Sequence, residues 1–515
     1  MEPKQVLAVL KLHILLYISD ERARAAMGMV YKITCILSLA LGISHGAMAK
    51  TLTSPNGIIE QCWSVPPSPH GVYSAKDTEK EQELCSFDFY SKEILLCGKN
   101  WSTSPSTLLL KTTNAVPLIQ SLCMNKKSME PVSKVAKFKV SMNEKGTSGT
   151  FSISSLLYYH LSRDLNLNVI IPVSVLRTMD KQAHYQMVTS KVQFFENDMI
   201  QKAWNYLAEA ESVNPQAIRP VRELFTENQN AIYGALIDSL GNEKYTEFFR
   251  GRKQPLWGLA QHQEMLKTPV FKALASPQDL SVAAAESIKY GLENYKADFN
   301  GVKPSLLQMI SWMQDASEMS LLDFIMQQQD RPGNIHFQWR IEYFKNGQFK
   351  SNRIKTMINN KLSGLEKKYP RPEFIKKVES IAFSQAEYSG CSKEFPCAVV
   401  QKTTLEDNDA GGRIYYLPFY RQAQILEKIN HISARTYQNL VRLARSMKNQ
   451  DDASYNYYQS RFLLDSDQFN QLKKNMIDAA EIMKKKCEKG ELKFDLNYQL
   501  YLEKGQIVNS TVPCY

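Results

Sequence analysis

Most of the signatures by which a sequence announces one chemistry are missing from this chain. Its formal net charge of +11 is spread over 515 residues with no run of five or six basic side chains. A nucleic-acid partner is therefore poorly supported. No CxxC, HExxH or clustered His/Cys spacing occurs, which argues against a zinc centre. GxSxG, Walker A, Rossmann and GxGxxG patterns are absent as well. The eight histidines are scattered, so a lone one such as His160 or His336 reads as a packed or surface residue. What remains is 43% apolar and 22% charged, which excludes a disordered or collagen-like chain. The length suggests roughly three domains, or one large two-lobed unit.

Export is the first positive signal. Residues 29–49 place Lys32 ahead of an apolar run from Ile33 to Ile43, followed by Ala47-Met48-Ala49. That is the layout of a secretory signal segment with a small-x-small cleavage site, too short for a comfortable membrane span. The true start would be Met27 or Met29. Removing residues 1–49 takes away five basic and three acidic side chains and leaves a net charge of +9. It also removes Cys35 and leaves eight cysteines, at 62, 85, 97, 123, 391, 397, 487 and 514. An even count behind an export signal implies disulfides in a secreted or periplasmic protein. Cys391 and Cys397 are close enough in sequence to pair across a short loop, and the pairing of the other six stays open. Asn100-Trp101-Ser102 and Asn509-Ser510-Thr511 fit glycosylation sequons.

The organisation divides into a signal segment (1–49), a cysteine-containing extension (50–130), a small strand-containing lobe (131–190) and a larger helical lobe (191–515). The extension reads as loops and short strands tied by disulfides. In Val135–Val140 the side chains alternate, with Lys137 and Lys139 on one face of a strand. An NEKGTSG loop follows at 143–149, then helical spacing over Phe151–Leu165 and an apolar, β-branched strand over Val169–Val175. Beyond residue 190 apolar steps of three and four predict helices over Val192–Ala210, Val221–Leu240, Leu280–Tyr295, Leu306–Met319, Gln422–Met447 and Phe469–Lys489. The Tyr455–Tyr458 run reads as packing or surface aromatics, and Lys484-Lys485-Lys486 as a solvated helix end. The fold class expected is α+β.

Two acidic loops carry the chemistry. In Leu321–Phe337 (LLDFIMQQQDRPGNIHF) an apolar helix end runs into Asp330-Arg331, a Pro-Gly turn and Asn334. Phosphoryl transfer needs a carboxylate to orient or deprotonate the acceptor hydroxyl and a nearby oxygen ligand for the metal. Asp330 and Asn334, four residues apart, suit those two roles. Downstream, Leu405–Gly412 reads LEDNDAGG. Clustered carboxylates before a Gly-Gly stretch suit magnesium or manganese, which take hard oxygen ligands. Taken alone, DNDAGG is also an ordinary Asx-rich turn. The order of strand lysine, Asp-Arg…Asn loop and acidic turn is that of a protein-kinase-like chain.

LLDFIMQQQDR (321–331) resembles the catalytic segment of the atypical secretory-pathway kinases, the Golgi casein kinase and four-jointed group. DNDAGG (407–412) is similar to that group's metal-binding turn. Residues 425–444 and 476–490 are similar to its last helices, and 158–175 to the helix and strand of its small lobe. The resemblance does not extend over 50–130 or 340–400. It implies a two-lobed protein-kinase-like fold that binds ATP with Mn²⁺ or Mg²⁺ and phosphorylates a hydroxyl of a protein or glycan. By the same resemblance Asp330 is the catalytic base and Asp407 the chief metal ligand, with Asn334 and Asp409 as further ligands. Asn334 also resembles the metal ligand of the phosphoinositide-kinase loop, with one residue fewer in between. Lys139 takes the place of the phosphate-bracing lysine, with Lys137 as its neighbour on the strand.

One position departs from the family pattern. Where those kinases keep a glutamate on the helix to orient the lysine, this chain has Ser155, and no acid precedes Asp164 on that helix. Glu144 is the candidate substitute. Two other functions follow from the departure: a pseudokinase that binds or activates a partner, and a kinase-fold nucleotidyltransferase. The insertion at 338–402, between catalytic loop and acidic turn, carries Cys391 and Cys397 and no assigned role.

Overall fold

The computed structural model describes residues 50–515 apart from 112–117, 126, 130–131, 144–145, 194, 213–220, 242–244, 253–256, 296–303, 355–396 and 515. The signal segment, Glu144 and Cys391 lie outside the described residues.

A mixed α+β unit extends from Lys50 onward. Its larger sheet is a curled antiparallel array of seven strands: β1 (Lys50–Thr53), β2 (Ile59–Trp63), β3 (Ile94–Gly98), β4 (Ser106–Lys111), β5 (Ser133–Val140), β6 (Ser174–Asp180) and β7 (Ala231–Asp238). They lie in the order β1-β2-β6-β7-β5-β4-β3. A smaller sheet holds β8 (Ile335–Lys345), β9 (Gln348–Arg353) and β10 (Cys397–Leu405), ordered β10-β8-β9. The longer helices are α1 (Ala75–Ser86), α2 (Ser152–Asp164), α3 (Asp198–Ser212), α4 (Leu280–Asn294), α5 (Leu306–Met326), α6 (Ala434–Ser446) and α7 (Ser466–Glu488).

The strand that carries the lysines is flanked on both sides, by β4 and by β7. Its alternation sends Ala136, Phe138 and Val140 into the main apolar core. Lys137 and Lys139 therefore point the other way, yet both are buried. Residues 59–111 supply three strands of this same sheet and the helix α1, which a capping box at Ser74 and Asp77 opens. Disulfides Cys62–Cys85 and Cys97–Cys123 tie that region down, and Cys487–Cys514 fastens the chain's end to α7.

Three segments differ most from the sequence expectation, beside the helix expected from Val192, which begins at Asp198, and the helix α1 within the extension. Val221–Leu240 is not one helix: four helical residues (Val221–Leu224) are followed by a turn and by β7. A strand buried on both faces loses its period of two and reads like a helix. Gly234 in that strand marks a close approach, since a Cβ there would meet the Phe138 ring at 2.4 Å. The strand expected at Val169–Val175 begins only at Ser174. Pro172 interrupts the run, and Ile170 instead bridges Thr404 at the end of β10. The helix expected over Gln422–Met447 is broken, with α6 starting at Ala434 after a bridge between His431 and Lys493.

The central helix is α5, buried along nearly its whole length and packed against α2, α4, α7 and β10. Several of its polar residues are spent on structure. Glu318 accepts from the backbone N–H of Asn168 (2.6 Å) and Val169 (2.9 Å), and Asp315 pairs with Lys402 of β10 at 2.5 Å. Among the described residues no helix is long and apolar enough to cross a membrane.

Candidate active site

The two acidic loops meet because β8 and β10 pair antiparallel. Their register sets Ile335, the first residue of β8, opposite Leu405, the last of β10. Residues before Ile335 and after Leu405 therefore emerge at the same end of the pair, whatever the length of the insertion between them. The C-terminus of α5 feeds the first loop. Its capping residue Gln327 is left-handed (φ +50°), and the Gln329 N–H donates to the carbonyl of Ala410 at 3.1 Å. On the other side the Gly412 N–H donates to the Met326 carbonyl at 2.6 Å.

Into this junction β5 projects its lysines. Lys137 Nζ lies 2.5 Å from Asp407 Oδ1. Lys139 Nζ lies 2.6 Å from Asp409 Oδ1 and 3.0 Å from Asp407 Oδ1. Segments about 270 positions apart in sequence are thus joined by three ion pairs. Lys139 also donates to Ser104 Oγ at 3.4 Å, in the β3–β4 connection, and the buried Lys99 of that connection adds to the positive potential at Asp407. Burial alone would push the Asp407 carboxyl up. Lys137, Lys139 and Lys99 outweigh it and hold that carboxyl well below the usual range. Lys137 is the mirror case: burial works against its charge, while Asp407, Glu406 and Asp409 raise it above the ordinary lysine value. Asp407 is left-handed (φ +52°), an uncommon backbone for a non-glycine residue.

Asp330 sits beside this cluster, half-buried. Its Oδ1 accepts from the Trp257 indole N–H at 3.0 Å and its Oδ2 from the Asn334 amide at 3.1 Å. Asn334 also donates to the Asp330 carbonyl at 2.8 Å, so its side chain is pinned by its nitrogen. Burial raises the Asp330 carboxyl to about 6; the two hydrogen bonds oppose this, and the charges of Asp407 and Asp409 add to it.

Underneath lies an anchor that no sequence motif signals. Asp323, fully buried on the last turns of α5, accepts from Arg331 Nε (2.9 Å) and Nη2 (3.0 Å), Tyr158 Oη (2.6 Å) and Tyr420 Oη (2.7 Å). The same guanidinium donates to Asn408 Oδ1 at 2.7 Å and to the Glu406 carbonyl at 3.2 Å. Arg331 therefore clamps the Asp330 loop to the acidic turn. The only trace in sequence is one aspartate within an apolar helix end, LLDFIM.

Of the sequence-expected residues, Lys139, Asp407 and Asp409 meet directly, and Asp330 and Asn334 form the adjoining pair. Lys137, the neighbouring candidate, is as deeply engaged as Lys139. Lys99 and Trp257 escape sequence reasoning, because neither lies in a periodic or acidic motif. Ser155 is buried on α2, and its Oγ has no hydrogen-bond partner among the described residues. The sequon at Asn100 is not available in this structure: the side chain is buried and donates to the carbonyls of Met124 (2.9 Å) and Gln193 (2.7 Å). His160 is a packing residue, buried against the hydroxyls of Tyr73 and Tyr457 and lowered by burial to about 3. Lys486 is not a solvated helix end, since it donates to the Glu427 carbonyl at 2.7 Å.

Among the described residues no three His, Cys, Asp or Glu side chains are grouped to hold a metal. Magnesium, however, is usually bound by one or two carboxylates, with phosphate and water oxygens completing the shell. Asp407 and the Asn334 carboxamide oxygen are hard donors of that kind, and Asp407 is held ionised, so the donor set fits. No protein-family model matches the chain, and no curated protein is significantly similar to it.

Proposed function

We propose that the protein is an exported, atypical kinase of two-lobed kinase-like fold that transfers the γ-phosphoryl group of ATP to a hydroxyl of a protein or glycan. The observation that carries the reading is the meeting of a strand lysine with an acidic turn, next to a half-buried loop aspartate. Within that pattern each cation has an anionic partner that a ligand can replace. The ammonium groups of Lys137 and Lys139 are placed to turn from Asp407 to phosphate oxygens. Asp407, freed from them, would hold Mg²⁺ or Mn²⁺ together with Asn334. When bound, the metal would neutralise charge developing on the phosphoryl oxygens.

Asp330 then orients the acceptor hydroxyl and takes its proton. A carboxyl raised to about 6 is a better proton acceptor than an exposed aspartate and is still ionised at neutral pH. Trp257 and Asn334 fix its two oxygens. Trp257 is half exposed beside it, which leaves apolar surface next to Asp330. The three disulfides among the described residues support an oxidising compartment.

The buried Ser155 favours a second reading, a pseudokinase that binds nucleotide without turning it over. One experiment separates the readings. The mature chain is incubated with manganese, hydroxyl acceptors and ATP labelled at the α- or the γ-phosphate. Transfer of γ-label by wild type and its loss in Asp330→Ala are expected. Equal inertness of both proteins with retained nucleotide binding identifies a pseudokinase, and α-label on the acceptor a nucleotidyltransferase. Absence of any nucleotide binding overturns all three.

A further inference from the structure

In the kinase reading the lysine that braces the phosphates needs an acid to hold it in place, and α2 offers none. Its first acid is Asp164 at the far end, already engaged by the hydroxyls of Ser68 and Tyr458. Ser155 is buried and uncharged. We propose that Asp409 has taken over this role as a positioning residue that orients Lys139, leaving Asp407 as the carboxylate of the turn that meets the metal.

Three observations converge on this. The Asp409–Lys139 contact, at 2.6 Å, is shorter than the Asp407–Lys139 contact at 3.0 Å, and both side chains are almost fully buried. Asp407 is the more exposed of the two acids, with 17% of its side chain accessible against 3% for Asp409. It also has a lysine of its own, Lys137, at 2.5 Å. Finally, Asp409 is tied by its backbone to the helix that lacks the acid. Its carbonyl accepts from the N–H of Phe151, the residue that caps α2, at 2.8 Å. The preceding carbonyl, of Asn408, accepts from Ser154 Oγ at 2.6 Å. The link from α2 to Lys139 thus survives by another route, through Asp409's main chain and out along its side chain.

A ligand carboxylate must be able to let go of its lysine when a cation arrives; an orienting carboxylate must not. Asp409, buried and fixed at both main chain and side chain, matches the second description. Ser155 is then no lesion, and its small side chain marks a position where a glutamate is not required.

The lysine's part in catalysis rests on the kinase reading, whereas its geometry does not, so the test has two arms. In the first, Mn²⁺ and ATP binding and steady-state turnover are measured for Asp409→Ala, Asp409→Glu and Asp407→Ala. Asp409→Ala is expected to keep Mn²⁺ binding while turnover falls about 10- to 100-fold, the range for losing one charge-assisted hydrogen bond, and Asp409→Glu to recover most of it. Asp407→Ala is expected to lose Mn²⁺ binding. If Asp409→Ala loses Mn²⁺ binding to the same extent, Asp409 is a metal ligand and the proposal falls. It falls too if turnover is unchanged. In the second arm the ligand-free proteins are treated with an amine-acylating reagent and modification at Lys139 is followed by mass spectrometry. Faster labelling in Asp409→Ala but not in Asp409→Glu supports the orienting role, and equal labelling in all proteins overturns it. Wild type that binds no nucleotide while the labelling difference persists refutes the kinase reading alone.

Discussion

Asp323 and Asp407 are aspartates of one region, each facing basic side chains, and they differ in how their charge is met. Asp323 receives a two-pronged guanidinium and two tyrosine hydroxyls, all buried and all at 2.6–3.1 Å. Burial and the Asp323 charge raise both tyrosine hydroxyls well above their ordinary value, so they stay protonated as donors. Every lone pair has a directed partner, which is the condition for a buried ion pair to be tolerated. Asp407 instead meets two flexible ammonium groups, one of them shared with Asp409, from a strained backbone position and with part of its side chain exposed. Arginine's planar fork suits a permanent clamp, and lysine's single ammonium suits a partner that changes. The first cluster holds the loops in place; in the second, under the proposed function, Asp407 exchanges its lysines for a cation while Asp409 keeps Lys139.

Four results would test that contrast. The largest effect is expected from Arg331→Met, which leaves Asp323 buried without its cation and should cost about 3–5 kcal/mol in urea unfolding. Next is the response to ligand. Manganese–ATP at about 100 times its Kd should stabilise wild type by about 2.7 kcal/mol and leave Asp407→Ala unmoved. A thermal shift of equal size in both proteins would mean that the exchangeable cluster is not the binding site. Lys137→Met should be milder than Arg331→Met, about 1 kcal/mol, because Lys139 remains 3.0 Å from Asp407. A loss as large as that of Arg331→Met would erase the distinction between the clusters.

The smallest effect is in pH. Since Asp330 is raised to about 6, kcat/KM should fall as pH drops through about 6 and the base is protonated. The sign for stability is opposite to that of an ordinary ion-paired carboxylate. An acid raised in the folded state penalises folding once it ionises, so Asp330→Asn should raise the melting temperature more at about pH 7.5 than at about pH 5. A pH-independent shift would assign the change to packing instead.

Much of this region is legible in the sequence because it depends on local pattern. Alternation in VAKFKV puts Lys137 and Lys139 on one face of a strand, and the two acidic loops stand out by composition. The anchor is not legible, because Tyr158, Asp323, Arg331 and Tyr420 come from separate segments and no motif spacing relates them. β7 escapes for a different reason. Its residues are apolar on both faces, so the pattern that distinguishes strand from helix is erased by burial itself. The sequon at Asn100 fails because a three-residue motif carries no information about burial.

The pair of glycines that ends DNDAGG has a consequence for how the acidic turn can move. A Cβ at Gly411 would stand 2.9 Å from the Met326 carbonyl, at the very end of α5, while Gly412 adopts φ +81° as its N–H reaches that same oxygen. The turn and the helix end are in direct backbone contact, with no side chain between them to act as a cushion. Any side chain at 411 would be a wedge driven between the acidic turn and the end of α5. Absence of a single carbon at that position lets the acidic turn dock on the helix end, so that a shift of the last turn of α5 is passed directly to the backbone that carries Asp407.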